Sequence, residues 1–265
     1  MLRKIDTGKV RLAYRIDGPA DRPWVVMSHS LACDHSMWDA QMGALGGFRV
    51  LRFDSRGHGA SDAPEGRYTI EDLAGDVLGL LDALRIDRCH FVGLSMGGMI
   101  GQQLALQAPE RIASLVLADT SSRYPASVLP VWDERIALVR SQGMQAVVQA
   151  TLERWFTAKF RNEHPQEVAR IGALISATPV AGYVGCAHAV PRINFTARLA
   201  TIRRPTLVIV GAEDLGTPVA MAEEIAAAIP GAELRIIDAA AHLSNIEQAV
   251  RFNQRLGAFL AQEGS

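Results

Sequence analysis

Cys89-His90-Phe91-Val92-Gly93-Leu94-Ser95-Met96-Gly97-Gly98-Met99-Ile100 is the stretch on which the fold turns. Cys89 to Leu94 is a mostly apolar run of the length and character of a strand buried on both faces of a parallel sheet. A helical run follows from Gly98 to Gln107. Between them lies G-x-S-x-G, Gly93 to Gly97, in the strand-turn-helix context that a nucleophilic serine on a strained turn requires. The glycines allow a tight turn and close passage of neighbouring chain. Ser95 then stands at a helix N-terminus, where the dipole favours the negative charge that develops on attack.

Working outward, the same rhythm continues on both sides. Val10 to Tyr14, after a Gly turn at Gly8, suits an opening hairpin. Trp24 to Met27, Phe48 to Phe53 and Ile112 to Leu117 read as strands. Ile70, Leu73, Val77, Leu80, Leu81 and Leu84 recur at helical spacing, and Thr69 with Asp72 forms a capping box at the start of that helix. Strand, helix, strand, helix implies right-handed crossovers and a parallel sheet. From Ser121 to Ala200 the strand signal vanishes and the chain reads as helical or irregular. It resumes with a strand from Pro205 to Gly211, a helix from Val219 to Ile229 and a strand from Glu233 to Asp238. A last helix begins at about Asn245, with Ser244 and Glu247 read as its capping box. The expectation is an α/β core made of 1–120 and 201–265, with a mostly parallel sheet flanked by helices. A helical lid of 121–200 is inserted before the last strands, over the C-terminal strand ends where open α/β sheets bind ligands.

A serine hydroxyl needs a base. In chain order nucleophile, acid, base, His242 is the one histidine after the helical insertion, so it is the expected base. Asp214, after the strand Thr206 to Val210, is the expected acid that fixes the imidazole tautomer. Glu213 is its near rival and Asp119, after an earlier strand, the distant one. The oxyanion hole needs two backbone N–H groups. Met96, next to the nucleophile, and Leu31, in the loop after Trp24 to Met27, are the candidates. His29 and His58 read as loop-holding residues. Asp54-Ser55-Arg56-Gly57-His58-Gly59 lacks the Lys-Ser/Thr ending of a phosphate loop and reads as a structural turn. Cys33 is expected near the oxyanion loop, without a nucleophilic role.

Bulk properties narrow the rest. Of 265 residues 49% are apolar and the net charge is -1, which suggests neither nucleic acid nor an anionic membrane as partner. The three cysteines are widely spaced, arguing against a disulfide framework or zinc site; no metal and no cofactor is expected. The charged start has no apolar run behind it, and no stretch approaches a membrane span, so a cytoplasmic protein is expected. Association into a homo-oligomer is left open. Between Ser121 and Ala200 eight arginines and one lysine stand against five acidic residues. That excess would attract an anionic substrate; chance asymmetry on solvated helix faces accounts for it equally well.

The chain resembles the α/β-hydrolase superfamily over nearly its whole length. The elbow and Asp54-Ser55-Arg56-Gly57-His58-Gly59-Ala60-Ser61 carry that resemblance. Within the superfamily it looks most like 3-oxoadipate enol-lactonases. The similarity lies in Asp34-His35-Ser36-Met37-Trp38, Gly93 to Gly98, Arg154-Trp155-Phe156-Thr157 and Ala241-His242-Leu243-Ser244-Asn245-Ile246-Glu247. One loop departs: His29-Ser30-Leu31-Ala32 stands where those lactonases carry Asn-Ser-Leu-Gly, and is closer to general esterases. The resemblance implies hydrolysis of 3-oxoadipate enol-lactone in bacterial aromatic degradation, through an acyl-enzyme. A carboxylesterase or a perhydrolase on the same triad is the alternative. A ligand receptor that does not turn over is the alternative of another class.

Overall fold

The computed structural model describes residues 1–263. Eight strands form one sheet: β1 (Arg3–Asp6), β2 (Arg11–Asp17), β3 (Trp24–Ser28), β4 (Arg49–Phe53), β5 (Cys89–Leu94), β6 (Ile112–Ala118), β7 (Thr206–Gly211) and β8 (Glu233–Ile237). Their spatial order is β1-β2-β4-β3-β5-β6-β7-β8. β1 and β2 form the antiparallel hairpin, β2 joins β4 antiparallel, and from β4 to β8 every pair is parallel. All residues of β5 and β7 are buried, as two-sided packing demands of central parallel strands.

The fold places the site through its strand order. From β3 the sheet grows to β4 on one side, then returns to β5 on the other. The loops leaving β3 and β5 therefore diverge, and a crevice opens between their C-terminal ends, the switch point of the sheet. Ser28, last of β3, is paired with Gly93 of β5, so the loop after residue 28 lies beside Ser95.

Two helices follow strands as the periodicity predicts. α1 (Ile70–Ala83) begins with the Thr69–Asp72 capping box, both halves formed, and α2 (Met96–Gln107) begins directly after Ser95. The helical insertion between β6 and β7 holds α3 (Leu129–Gln142), α4 (Gln145–Trp155), α5 (Ala158–Glu163), α6 (Pro165–Ala177), α7 (Val180–Ala189) and α8 (Thr196–Leu199). Then come α9 (Val219–Ala228), α10 (Ser244–Glu247) and α11 (Ala249–Glu263). No single helix among the described residues is long and apolar enough to cross a membrane.

Two local features differ from the sequence reading. His35–Ala44 forms a 3-10 helix with Asp34 as N-cap, burying Met37 and Trp38; no helical period announces it. The Ser244–Glu247 capping box does not form. Ser244 Oγ donates to Asp119 instead, and the Glu247 carboxylate accepts from Ala241 N–H and from Thr157 N–H and Oγ1–H. Long-range partners have taken both side chains from the local cap, and the helix breaks at Gln248 before α11.

The helical insertion is fixed to the turn after β4 by backbone-to-backbone contact. A Cβ on Gly182 of α7 would lie 2.0 Å from Gly57 O, and one on Gly57 would lie 2.4 Å from Gly182 Cα. Gly185 O, three residues on, accepts from Tyr68 N–H at 3.2 Å. Gly57 also has φ +83°. Gly57→Ala should therefore cost on the order of 2 kcal/mol or more in urea unfolding. Gly8→Ala, at φ +87° but with open space around it, should cost about 1 kcal/mol from its backbone alone. Equal losses would show that the interlock contributes nothing.

Candidate active site

Ser95 sits at φ +56°, ψ −115°, outside the regions an ordinary residue prefers. The turn holds because its neighbours have no side chains: a Cβ on Gly93 would come within 2.1 Å of Gly97 O, and one on Gly97 within 2.1 Å of Ser28 O. Ser95 N–H donates to Ala118 O at 2.9 Å, and Thr120 Oγ1 donates to Ser95 O at 2.7 Å. The strained turn is thus braced by the end of β6.

The loop after β3 is shaped by two buried histidines. His58 Nε2 accepts from Ala32 N–H at 2.9 Å, and His29 Nε2 accepts from Ser55 N–H at 2.9 Å. Accepting at Nε2 requires the neutral ring, and burial pushes both below the ordinary imidazole value, His58 to about 3. Held this way, Ala32 adopts φ +61°. Among the described residues no acceptor is bonded to the N–H of Leu31 or Met96. Both are backbone donors beside Ser95, one from each wall of the crevice.

Across the crevice, His242 Nδ1 lies 2.8 Å from Asp214 Oδ2. Asp214 Oδ1 accepts from Gly216 N–H at 2.8 Å and Thr217 N–H at 3.0 Å, while Thr217 Oγ1 donates to Oδ2 at 2.5 Å. Burial would raise the Asp214 pKa, but the facing imidazole and the Thr217 donors hold it at about 2. Burial would lower that of His242, and the Asp214 carboxylate outweighs it, so the imidazole titrates above its ordinary value. The rivals for the acid position lie elsewhere: Glu213 is exposed, and Asp119 bonds Ser244 and Gly211 rather than the imidazole.

Ser95 and His242 line one cavity of about 220 Å³, with Leu31, Trp132, Arg135 and Tyr183 among its walls. The sequence did not single out what surrounds the imidazole. The Trp155 ring lies 6.0 Å from it at 30°, and Leu243 N–H donates to Trp155 O at 3.2 Å. Two cations reach the cavity, Arg135 from α3 and Arg154 from α4. No acidic partner bonds either among the described residues. Arg135 donates to Thr151 Oγ1 at 2.6 Å and lies 5.8 Å from the Trp132 and Tyr183 ring centroids. Its Nε and the buried Tyr183 hydroxyl have no hydrogen bond of normal geometry. The approach of Trp155 to the imidazole and the facing of both arginines into one cavity are set by tertiary placement; Arg154-Trp155 stands in the sequence only as part of the resemblance.

One cluster among the described residues brings metal-type ligand atoms together, Asp34, His35 and Asp54. Asp54 there accepts from His35 N–H, His35 Nδ1–H and Ala60 N–H, so its oxygens hold the turn after β4.

The chain belongs to the α/β-hydrolase fold family, whose model matches residues 23–249. It is an enzyme of the carboxylic ester hydrolase class. It is similar to 3-oxoadipate enol-lactonase 2 of Acinetobacter baylyi, with 36% identity over 95% of this chain and 93% of that protein. It is also similar to the putative carbamate hydrolase RutD of Variovorax paradoxus, with 35% identity over 95% of this chain and 96% of the other. Among solved structures, the enol-lactonase from Burkholderia xenovorans aligns with a TM-score of 0.94 at 42% identity, covering 98% of this chain and all of the other (100%).

The Asp214–His242 bond makes a direct prediction. Followed by NMR, the His242 imidazole should titrate above about 6.5 in the native protein. In Asp214→Asn the raising charge is gone while burial remains, so the same resonance should titrate lower than in the native protein. An unchanged value would mean the pair is not coupled.

Proposed function

We propose that this enzyme cleaves a small anionic lactone or ester by acyl transfer, with 3-oxoadipate enol-lactone as substrate. The observation that carries the substrate class is the pair of arginines without acidic partners, Arg135 and Arg154, on the same cavity as Ser95 and His242. A guanidinium with no carboxylate beside it, facing a partly buried cavity, is matched by a ligand that brings its own. The cavity suits a substrate smaller than a drug-sized ligand. The similarity to named enol-lactonases supports the choice of lactone.

Ser95 is the nucleophile. His242 Nε2 takes the proton from Ser95 Oγ, which attacks the lactone carbonyl. Asp214 holds the imidazole with Nδ1–H facing it and stabilises the imidazolium. The N–H groups of Met96 and Leu31 bind the developing oxyanion. Collapse breaks the ring C–O bond, and His242 returns its proton to the leaving oxygen, which stays tethered to the acyl-enzyme because the ring was one molecule. Water, deprotonated by His242, then attacks the acyl carbonyl; the bond to Ser95 Oγ breaks, and His242 returns that proton to Oγ. The helical insertion 121–200 acts as the lid, supplying both arginines and excluding bulk water from the oxyanion.

The deciding experiment compares kcat/KM on 3-oxoadipate enol-lactone with that on p-nitrophenyl acetate and butyrate. We expect a lactone preference of several orders of magnitude, and loss of roughly 10⁶ in kcat for Ser95→Ala. Ester turnover with negligible lactone turnover would leave a carboxylesterase and remove the lactone. Arg135→Leu and Arg154→Leu should each raise KM for the anionic lactone by about 10- to 100-fold, the worth of a charged hydrogen bond, and change p-nitrophenyl acetate little. Equal effects on both substrates would reject a carboxylate subsite. The base must be neutral, so kcat/KM should fall as pH drops through the raised His242 pKa, with a limb above about 6.5. Activity constant from pH 5 to 8 would exclude His242 as the base.

A further inference from the structure

β6 ends at Ala118, and the three consecutive residues Ala118, Asp119 and Thr120 are bonded to the segments that carry Ser95, Asp214 and His242. Ala118 O accepts from Ser95 N–H at 2.9 Å, and Thr120 Oγ1 donates to Ser95 O at 2.7 Å, so the nucleophile turn is gripped on both sides. Asp119 reaches the other two loops. Its Oδ1 accepts from Gly211 N–H at 2.8 Å, at the end of β7 and three residues before Asp214. Its Oδ2 accepts from Ser244 Oγ at 2.6 Å, two residues after His242. Asp119 is completely buried and takes φ +44°, a conformation a non-glycine residue keeps only when its surroundings impose it. No cation bonds it among the described residues.

A buried carboxyl with no counter-ion, on a strained backbone, bridging two loops whose side chains must meet within a hydrogen bond, is costly unless the bridge is its use. We infer that Asp119 is a positioning residue: its carboxyl ties the Asp214 loop to the His242 loop and, through Ala118 and Thr120, registers both against Ser95. The inference rests on the triad reading proposed above. It differs from the sequence-level rivalry for the acid position, since Asp119 touches neither the imidazole nor the cavity and acts only through its neighbours.

The tie depends on shape rather than on a negative charge. The titratable groups facing Asp119 are Asp214 and His242; burial and the Asp214 charge together push its carboxyl well above the usual range. An amide can then take its place, with Oδ1 accepting from Gly211 N–H and Nδ2 donating to Ser244 Oγ.

The test uses Asp119→Ala, Asp119→Asn and Ser244→Ala, assayed on p-nitrophenyl acetate beside Ser95→Ala, with circular dichroism showing each folded at the assay temperature. Misplacement of reacting groups by about an ångström costs roughly 10²-fold. Asp119→Ala should therefore lose about 10- to 100-fold in kcat with KM within about threefold of native, and Asp119→Asn should stay within about threefold of native kcat. Ser244→Ala should lose part of what Asp119→Ala loses, and the double variant no more than Asp119→Ala, because one bridge is being cut twice. A folded Asp119→Ala with native kcat would overturn the inference. So would an Asp119→Asn as impaired as Asp119→Ala, which would make charge the requirement. If Asp119→Ala does not fold, native kcat in Ser244→Ala overturns it and a reduced kcat at unchanged KM supports it. Turnover by Ser95→Ala would instead overturn the triad reading itself, independently of any Asp119 variant.

Discussion

Gly97 lies so close to the end of β3 that a single added carbon would meet the Ser28 carbonyl oxygen at 2.1 Å. That approach is the constraint on which the site depends. It seats the start of α2 against β3, which brings Ser95 and the Met96 amide next to the loop of residues 29–33. Without it the two walls of the crevice would stand apart, and the proposed pairing of the Leu31 and Met96 amides as an oxyanion hole would be lost. The strain at Ser95 follows from the same packing, since the chain must reverse from strand to helix in the space of one residue. The sheet supplies the support: β5 is buried on both sides and paired with β3 and β6 along its length.

Charge is arranged in layers around this turn. Beneath the imidazole lie two buried carboxyls, Asp214 and Asp119, held apart in behaviour by their partners. Asp214 faces the imidazole and Thr217 and is held low, whereas Asp119 has only neutral donors and is pushed high. Above the cavity stand the guanidinium groups of Arg135 and Arg154. Deep negative charge thus serves the imidazole, and shallow positive charge faces the space a substrate would fill.

Most of the fold was legible because a parallel sheet buried on both faces writes its strands as apolar runs. Cys89–Leu94 and Thr206–Gly211 are examples, and Ile70–Ala83 shows its buried face at helical spacing. The 3-10 helix from His35 to Ala44 was not legible, since it buries Met37 and Trp38 without a helical period. At Ser244 and Glu247 a local rule was present in the sequence and lost in the structure, because Asp119 and Thr157 compete for the same atoms. Chain order was enough to nominate Ser95, Asp214 and His242, and the structure brings the latter two within a hydrogen bond. The approach of Trp155 to the imidazole and the bridging position of Asp119 could not be nominated, because their partners lie far away in sequence: Asp119 and Ser244 are 125 residues apart.

The interlock of Gly57 with Gly182 has a consequence for how such a protein can diverge. Two backbones in direct contact leave no room for a side chain on either, so these positions cannot drift without moving α7 off the turn after β4. The residues that face the cavity, Trp132 and Arg135 on α3 and Arg154 on α4, are held by side-chain contacts and not by backbone against backbone. Substitutions can accumulate there while the insertion stays moored at the same point. The chain thus separates what attaches the insertion from what the cavity accepts, so a lineage could change its substrate without rebuilding its attachment.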